Sequence, residues 1–158
     1  MINPNENPIK MENIDSTIQE IKKEFFRYRN GVLADSIKKL LPDGTLIFGL
    51  MLPDLMQISK RYSKDLGLGL KLWEDKKNRE SRLLSLFILP PEEIERETAK
   101  NMFIDIRSIE EAELLPFKIL RHLPYAMNLY QELVQESFTD PNIIHALDMF
   151  KKNLQILK

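Results

Sequence analysis

The side chains of this sequence that could do chemistry by type and spacing are mainly cations. Lys38, Lys39, Lys60, Arg61, Lys64 and Lys71, followed by Lys76, Lys77, Arg79 and Arg82, run along the first half of the chain, and lysines and arginines in such numbers suit contact with phosphates. The charge balance agrees. Residues 1–90 hold 15 Lys and Arg against 12 Asp and Glu, a net +3, whereas residues 91–158 hold 8 against 12, a net −4. A phosphate-binding face is therefore predicted in the first half. Charge on an exposed helical face also serves solubility. Arg79 and Arg82 have a further reading: they stand beside Glu80 at the start of an apolar run and can pair with acids on neighbouring helices.

The acids cluster later. Glu110, Glu111 and Glu113 put three carboxylates at a helix start, where the helix dipole favours them and water solvates them. The segment from Glu92 to Glu113 carries eight acids with only Arg96, Lys100 and Arg107 to offset them, a poor lining for a phosphate surface. His122 and His145 stand on separate helices with no second His or carboxylate at ligand spacing, so no metal site is expected. No cofactor is expected either, because no phosphate loop, dinucleotide glycine pattern or Ser-His-Asp arrangement occurs. With no cysteine, disulfides, thiolate metal sites and Cys nucleophiles are excluded.

These residues must be positioned by helices. Five glycines in 158 residues are few for a β-rich fold, and the apolar residues recur at helical spacing. Residues 1–13 read as a flexible leader and 14–158 as one domain. Ile14, Ile18, Ile21, Phe25 and Tyr28 then draw one helical stripe, ended by Asn30-Gly31. A shorter helix follows to Leu41, and Pro42-Asp43-Gly44 is a turn. Thr45 to Leu52 is nearly all apolar but reads as a connector, since it lacks a strand to pair with. Pro53-Asp54 opens a helix predicted to run through Leu55, Ile58, Tyr62 and Leu66, and Gly67 and Gly69 interrupt before Leu70.

The stretch from Trp73 to Pro90 is the middle of the chain. It forms a helix from about Arg79 to Leu89 that is apolar at almost every position from Leu83 and so must be covered on most sides. Trp73 is read as a core residue. Beyond Pro90-Pro91, helices are predicted from about Pro91, over about Ser108–Leu123, from Pro124 to about Glu136 and from Asp140-Pro141 onward. Eight or nine short helices with proline-marked joints describe helix pairs of about 35–45 residues stacked as an α-solenoid better than a four-helix bundle.

Two stretches carry a family resemblance. Gly49-Leu50-Met51-Leu52-Pro53-Asp54-Leu55-Met56-Gln57-Ile58-Ser59-Lys60 is similar to a glycine-then-Pro-Asp-Leu block of the HEAT-like DNA alkylation repair glycosylases. Leu72-Trp73, followed by Arg79-Glu80-Ser81-Arg82-Leu83-Leu84-Ser85, resembles a second block of the same family. The resemblance covers about residues 15–135. It implies an all-α fold, an α-α superhelix of HEAT-like repeats curved around duplex DNA, with hydrolysis of the N-glycosidic bond of a cationic alkylated purine. It sets Glu113 at the catalytic carboxylate and Ile109 where the family has tryptophan, with no later counterpart of the family's arginine or second tryptophan. What it implies here is a short relative that binds duplex DNA or lesions, with weak or no N-glycosylase activity. The alternative is a non-catalytic protein-interaction scaffold with no nucleic-acid role. The N-terminus lacks the basic start and apolar run of a signal peptide, and no segment approaches ~18 uninterrupted apolar residues; no membrane contact is expected and the predicted location is cytoplasmic.

Overall fold

The structure, a computed structural model, describes residues 8–62 and 64–156. Among them are nine α-helices and no strand: α1 (Pro8–Arg27), α2 (Gly31–Ile37), α3 (Leu52–Ser59), α4 (Leu66–Glu74), α5 (Arg79–Ile88), α6 (Arg96–Ile104), α7 (Ile109–Lys118), α8 (Ala126–Leu133) and α9 (Pro141–Ile156). Single 3-10 turns follow α2, α5 and α7 at Lys38–Leu40, Pro91–Glu93 and Leu120–His122. The chain is all-α. Among the described residues, no helix is long and apolar enough to cross a membrane.

Helix α5 is the centre. Nine of its ten residues are buried, and it packs on α3, α4 and α7. It also joins two apolar clusters. Leu83, Leu84 and Ile88 meet Ile21, Phe25 and Leu55 on one side, while Leu86 and Leu89 belong with Phe103, Leu115 and Phe150 on the other. Helix α7 in turn packs on α9.

Short polar side chains start the helices by accepting from backbone N–H groups that have no intrahelical partner. Asp65 Oδ1 accepts from Leu68 N at 3.0 Å, Asn78 Oδ1 from Ser81 N at 3.1 Å and Ser108 Oγ from Glu111 N at 3.1 Å. Asp54, in the first turn of α3, reaches back to Met51 N at 3.2 Å. Thr45 to Met51 is a connector, as read in spite of its apolar composition, and Leu52 already belongs to α3. Its one sheet-like contact is a parallel bridge between Leu46 and Asn78, made by Leu46 N donating to Lys77 O and Arg79 N donating to Leu46 O.

Several boundaries differ from the sequence reading. Helix α1 begins at Pro8, inside the stretch read as the leader; residues 1–7 of that leader lie outside the described residues. Proline at a helix start has a preset φ and no N–H to leave unsatisfied. Asn30-Gly31 does not merely end α1, because Asn30 Oδ1 accepts from Leu33 N and starts α2. Helix α3 stops at Ser59, and Tyr62 and Leu66 do not extend it. Gly67 and Gly69 are not a break but lie within α4.

Gly69 has a packing reason to be there. A Cβ on it would stand 2.6 Å from both Cγ and Cδ2 of Leu89, so α4 and the end of α5 approach as closely as a missing side chain allows. Gly69→Ala is expected to lose about 1–3 kcal/mol from overpacking against about 1 kcal/mol of helix propensity gained. Gly67→Ala gains the same propensity and meets only ordinary contacts, the nearest being Ile14 Cδ1 at 3.4 Å. Thermal denaturation should therefore move the two variants in opposite directions; a shared direction would mean that Leu89 gives way.

Candidate nucleic-acid interface

The polar start of α5 is buried, and its charges are paired inside the fold. Arg79 forms two parallel hydrogen bonds to Glu110 on α7, Nε to Oε1 and Nη2 to Oε2, each 2.7 Å. Its Nη1 donates to Leu50 O at 3.0 Å and also to Glu80. Glu80 in turn accepts from the backbone N–H of Phe48 at 2.7 Å and of Gly49 at 3.3 Å. Burial opposes the charge of Arg79, but Glu110 and Glu80 outweigh it, so the guanidinium holds its proton more tightly than usual.

Arg82 is the largest fully buried side chain. Nη1 donates to Trp73 O at 2.9 Å and to Asp105 Oδ2 at 3.0 Å; Nη2 donates to Asp105 O at 2.7 Å and to Glu111 Oε1 at 2.8 Å. Its Cζ lies 3.4 Å from the centroid of the Trp73 ring, a cation–π contact in a desolvated setting. Burial would raise the Asp105 carboxyl, yet Arg82 first, then Lys76 and Arg107, hold it below the usual carboxylate range. Arg79 and Arg82 are thus withdrawn from the candidate phosphate contacts: both guanidinium groups are enclosed and committed to carboxylates and carbonyls. The reading of them as ties between neighbouring helices is the one the geometry bears out. Trp73 is buried at 6 % exposure, a core residue as read.

The other predicted cations lie at the surface on separate elements. Lys38 and Lys39 occupy the 3-10 turn after α2, Lys60 and Arg61 follow α3, Lys64 precedes α4 and Lys71 sits on α4, all exposed. Arg61 is held 3.5 Å from Glu24 of α1, and Lys64 Nζ donates to Phe87 O at 3.3 Å. Lys71 lines a cleft of about 310 Å³ with Ile14, Asp15, Gly67, Leu70 and Glu74, where two carboxylates share the space. Lys76 contacts Asp105 at 3.4 Å.

Glu113 is on α7 with its side chain 54 % exposed, 3.2 Å from His145 Nε2 of α9. It lines neither the 310 Å³ cleft nor the larger one of about 570 Å³ formed by Phe26, Arg29, Ala34, Leu46, Ile47 and Phe48. A carboxylate this open to water has no low-dielectric surroundings to strengthen its action on a developing positive charge. Acids on α8 and just after it also serve as ties to α6: Glu132 takes Arg96 at 2.7 Å and Lys100 at 2.8 Å, and Glu136 takes Lys100 at 2.7 Å.

One group of cations escapes the sequence reading. Lys118, Arg121 and His122 close α7 and its 3-10 turn, and they meet Lys64 from the first half of the chain around Phe87 and Phe117. The signal available was local, a Lys118 to His122 cluster in an otherwise acidic half; the half-by-half charge balance concealed it. Compared with family models, with curated proteins and with solved structures, this chain matches none.

Proposed function

We propose that this chain is a HEAT-like helical-repeat relative of the DNA alkylation repair glycosylases that binds duplex DNA, with weak or no base excision. The observation carrying this reading is that the two blocks of the resemblance are in direct contact, with Leu50, Leu55 and Ile58 of the first in one apolar cluster with Leu72, Leu83 and Leu84 of the second. Glu80 of the second block holds the backbone N–H groups of Phe48 and Gly49 at the entry to the first, and Arg82 is stacked on Trp73. The Glu80 contacts join the second block to the first and the Arg82 contact holds the two parts of the second together, which supports a shared scaffold. The succession of contacts supports a superhelical stack: α3 packs on α5, α5 on α7 and α7 on α9, with α4 against α5 and α8 against α9. In this reading Lys38, Lys39, Lys60, Arg61, Lys64 and Lys71 contact phosphates.

The test is fluorescence anisotropy with duplex DNA, intact and carrying an abasic-site analogue, at several salt concentrations. The expected result is binding that weakens steeply with salt, with log K falling by about 0.9 per decade of salt for each phosphate neutralised. No binding at low salt would remove the DNA role. The open surroundings of Glu113 lead us to expect no excision of alkylated purines above the uncatalysed rate, unchanged in Glu113→Gln. Excision abolished by that substitution would restore a catalytic role to this carboxylate.

A second reading, a protein-interaction scaffold, is favoured by one surface. Helix α2 buries no residue, with Val32 82 % exposed, and exposed Phe26 and Leu46 line the 570 Å³ cleft next to Gly31 and Ala34 of that helix. Apolar side chains exposed at a cleft mark interaction sites when they form a patch.

A further inference from the structure

Six residues from separated parts of the sequence are linked by contacts, one of them through a backbone carbonyl. Lys64 Nζ donates to the Phe87 carbonyl at 3.3 Å. Lys118 Nζ lies 4.9 Å from the Phe87 ring centroid and 5.7 Å from that of Phe117. Arg121 Cζ lies 4.0 Å from the Phe117 centroid, and its Nε donates to His122 Nε2 at 3.1 Å. Among the described residues no carboxylate comes within 4.0 Å of Lys64, Lys118 or Arg121. The Pro91–Glu93 turn packs on the Leu120–His122 turn, but Glu92 and Glu93 make no ion pair with these cations. Phe117 remains 42 % exposed.

We infer that Lys64, Phe87, Phe117, Lys118, Arg121 and His122 form a binding site for single-stranded nucleic acid. Three cations and a titratable imidazole gathered without a neutralising acid call for an anion of several charges. A phosphate-rich strand supplies these at successive positions. The aromatic rings decide between strand and duplex. Arg121 covers part of the Phe117 ring, and a duplex, which presents phosphates to such a surface and keeps its base faces stacked, offers nothing to the part that stays exposed. A single strand offers base faces to the exposed part of the Phe117 ring and to the Arg121 guanidinium plane, and phosphates to Lys64 and Lys118. His122 reports on the same field. Burial first, then Arg121, Lys118 and Lys64, push its pKa below the ordinary value, and an anion bound among them opposes the part due to the three cations.

This site is distinct from the duplex contacts proposed above, apart from the shared Lys64, and its test is independent of them. The probe is a fluorescein-labelled oligo-dT of about twelve nucleotides, within the usual range of single-strand sites. The wild-type chain is expected to bind it with salt-dependent affinity. Phe117→Leu, which keeps an apolar side chain on α7 but removes the ring, is expected to weaken binding about tenfold with the salt slope unchanged. The Lys118→Gln/Arg121→Gln pair is expected to flatten the slope by about 1.4, at about 0.7 per phosphate on a single strand. In NMR titrations the His122 ring should protonate at higher pH when oligo-dT is bound.

Wild-type chain that does not bind oligo-dT, or slopes and affinities that none of these variants alters, would overturn the inference. So would an effect of the charge pair with none from Phe117→Leu, which would mark plain electrostatic attraction. Far-UV circular dichroism and Tm confirm that each variant is folded before binding is read. Loss of duplex binding alone, with oligo-dT still bound, would overturn the proposed function and leave this site standing; the opposite result would do the reverse.

Discussion

Replacing Arg82 with alanine is expected to lower stability by about 3–5 kcal/mol, the usual cost of breaking a buried ion pair from one side. The substitution strands Glu111 next to a lost partner, takes one hydrogen bond from the Trp73 carbonyl and two from Asp105. For a domain of this size each kcal/mol is worth about 2–4 °C, so Tm should fall by about 6–20 °C in a calorimetric scan. Arg82→Met keeps the volume but leaves the carboxylates equally unpaired, and should recover little. Lowering the pH separates charge from packing. The folded-state pKa of Asp105 is depressed, so its stabilising contribution is complete above the unfolded value of about 3.9 and is lost as pH falls through the folded one. Arg82→Ala should lose part of that acid sensitivity. A variant within 1 kcal/mol of wild type at neutral pH would mean that apolar packing and the Arg79–Glu110 pair hold α5 to α7 without Arg82.

The second large effect is expected at Gly49. Its φ is +84°, in the left-handed region, and a Cβ there would lie 2.1 Å from Asn30 O and 2.9 Å from Ala34 N. Both obstructions are backbone, so no side-chain rotation relieves them. Gly49→Ala combines about 1–2 kcal/mol of conformational cost with overpacking of about 1–3 kcal/mol. It also disturbs the N–H that Glu80 accepts. Gly44 supplies the comparison, with φ +81° and open space around it, so Gly44→Ala should show the conformational cost alone. Urea midpoints that coincide for the two variants would show that the connector shifts to admit the methyl group.

Elements that declare themselves locally were legible in the sequence. Pro53-Asp54, Ser108 and Asp140-Pro141 stand at helix starts because proline's fixed φ and a short side-chain acceptor act within one turn. Gly67 and Gly69 were misread for the converse reason. Their local preference is against helix, and the packing reason for Gly69 is Leu89, twenty residues beyond it and touching it only after folding. The pairing role of Arg79 and Arg82 was legible from their place beside Glu80 at the start of an apolar run, but not their partners Glu110, Asp105 and Glu111, which only the packing of α7 on α5 brings to them. The predicted phosphate face suffers from the same blindness. A charge count along the chain cannot register that Lys64 and Lys118 meet at Phe87.

The stacking of Arg82 on Trp73 also gives this protein a built-in optical probe. Trp73 is the only tryptophan, so all indole emission comes from one ring with a guanidinium 3.4 Å from its centroid. Emission from so enclosed an indole reports the state of the central ion network, and shifts to longer wavelength when water reaches the ring. Stopped-flow traces of the unlabelled chain would thus time the moment at which the charges of α5 find their partners.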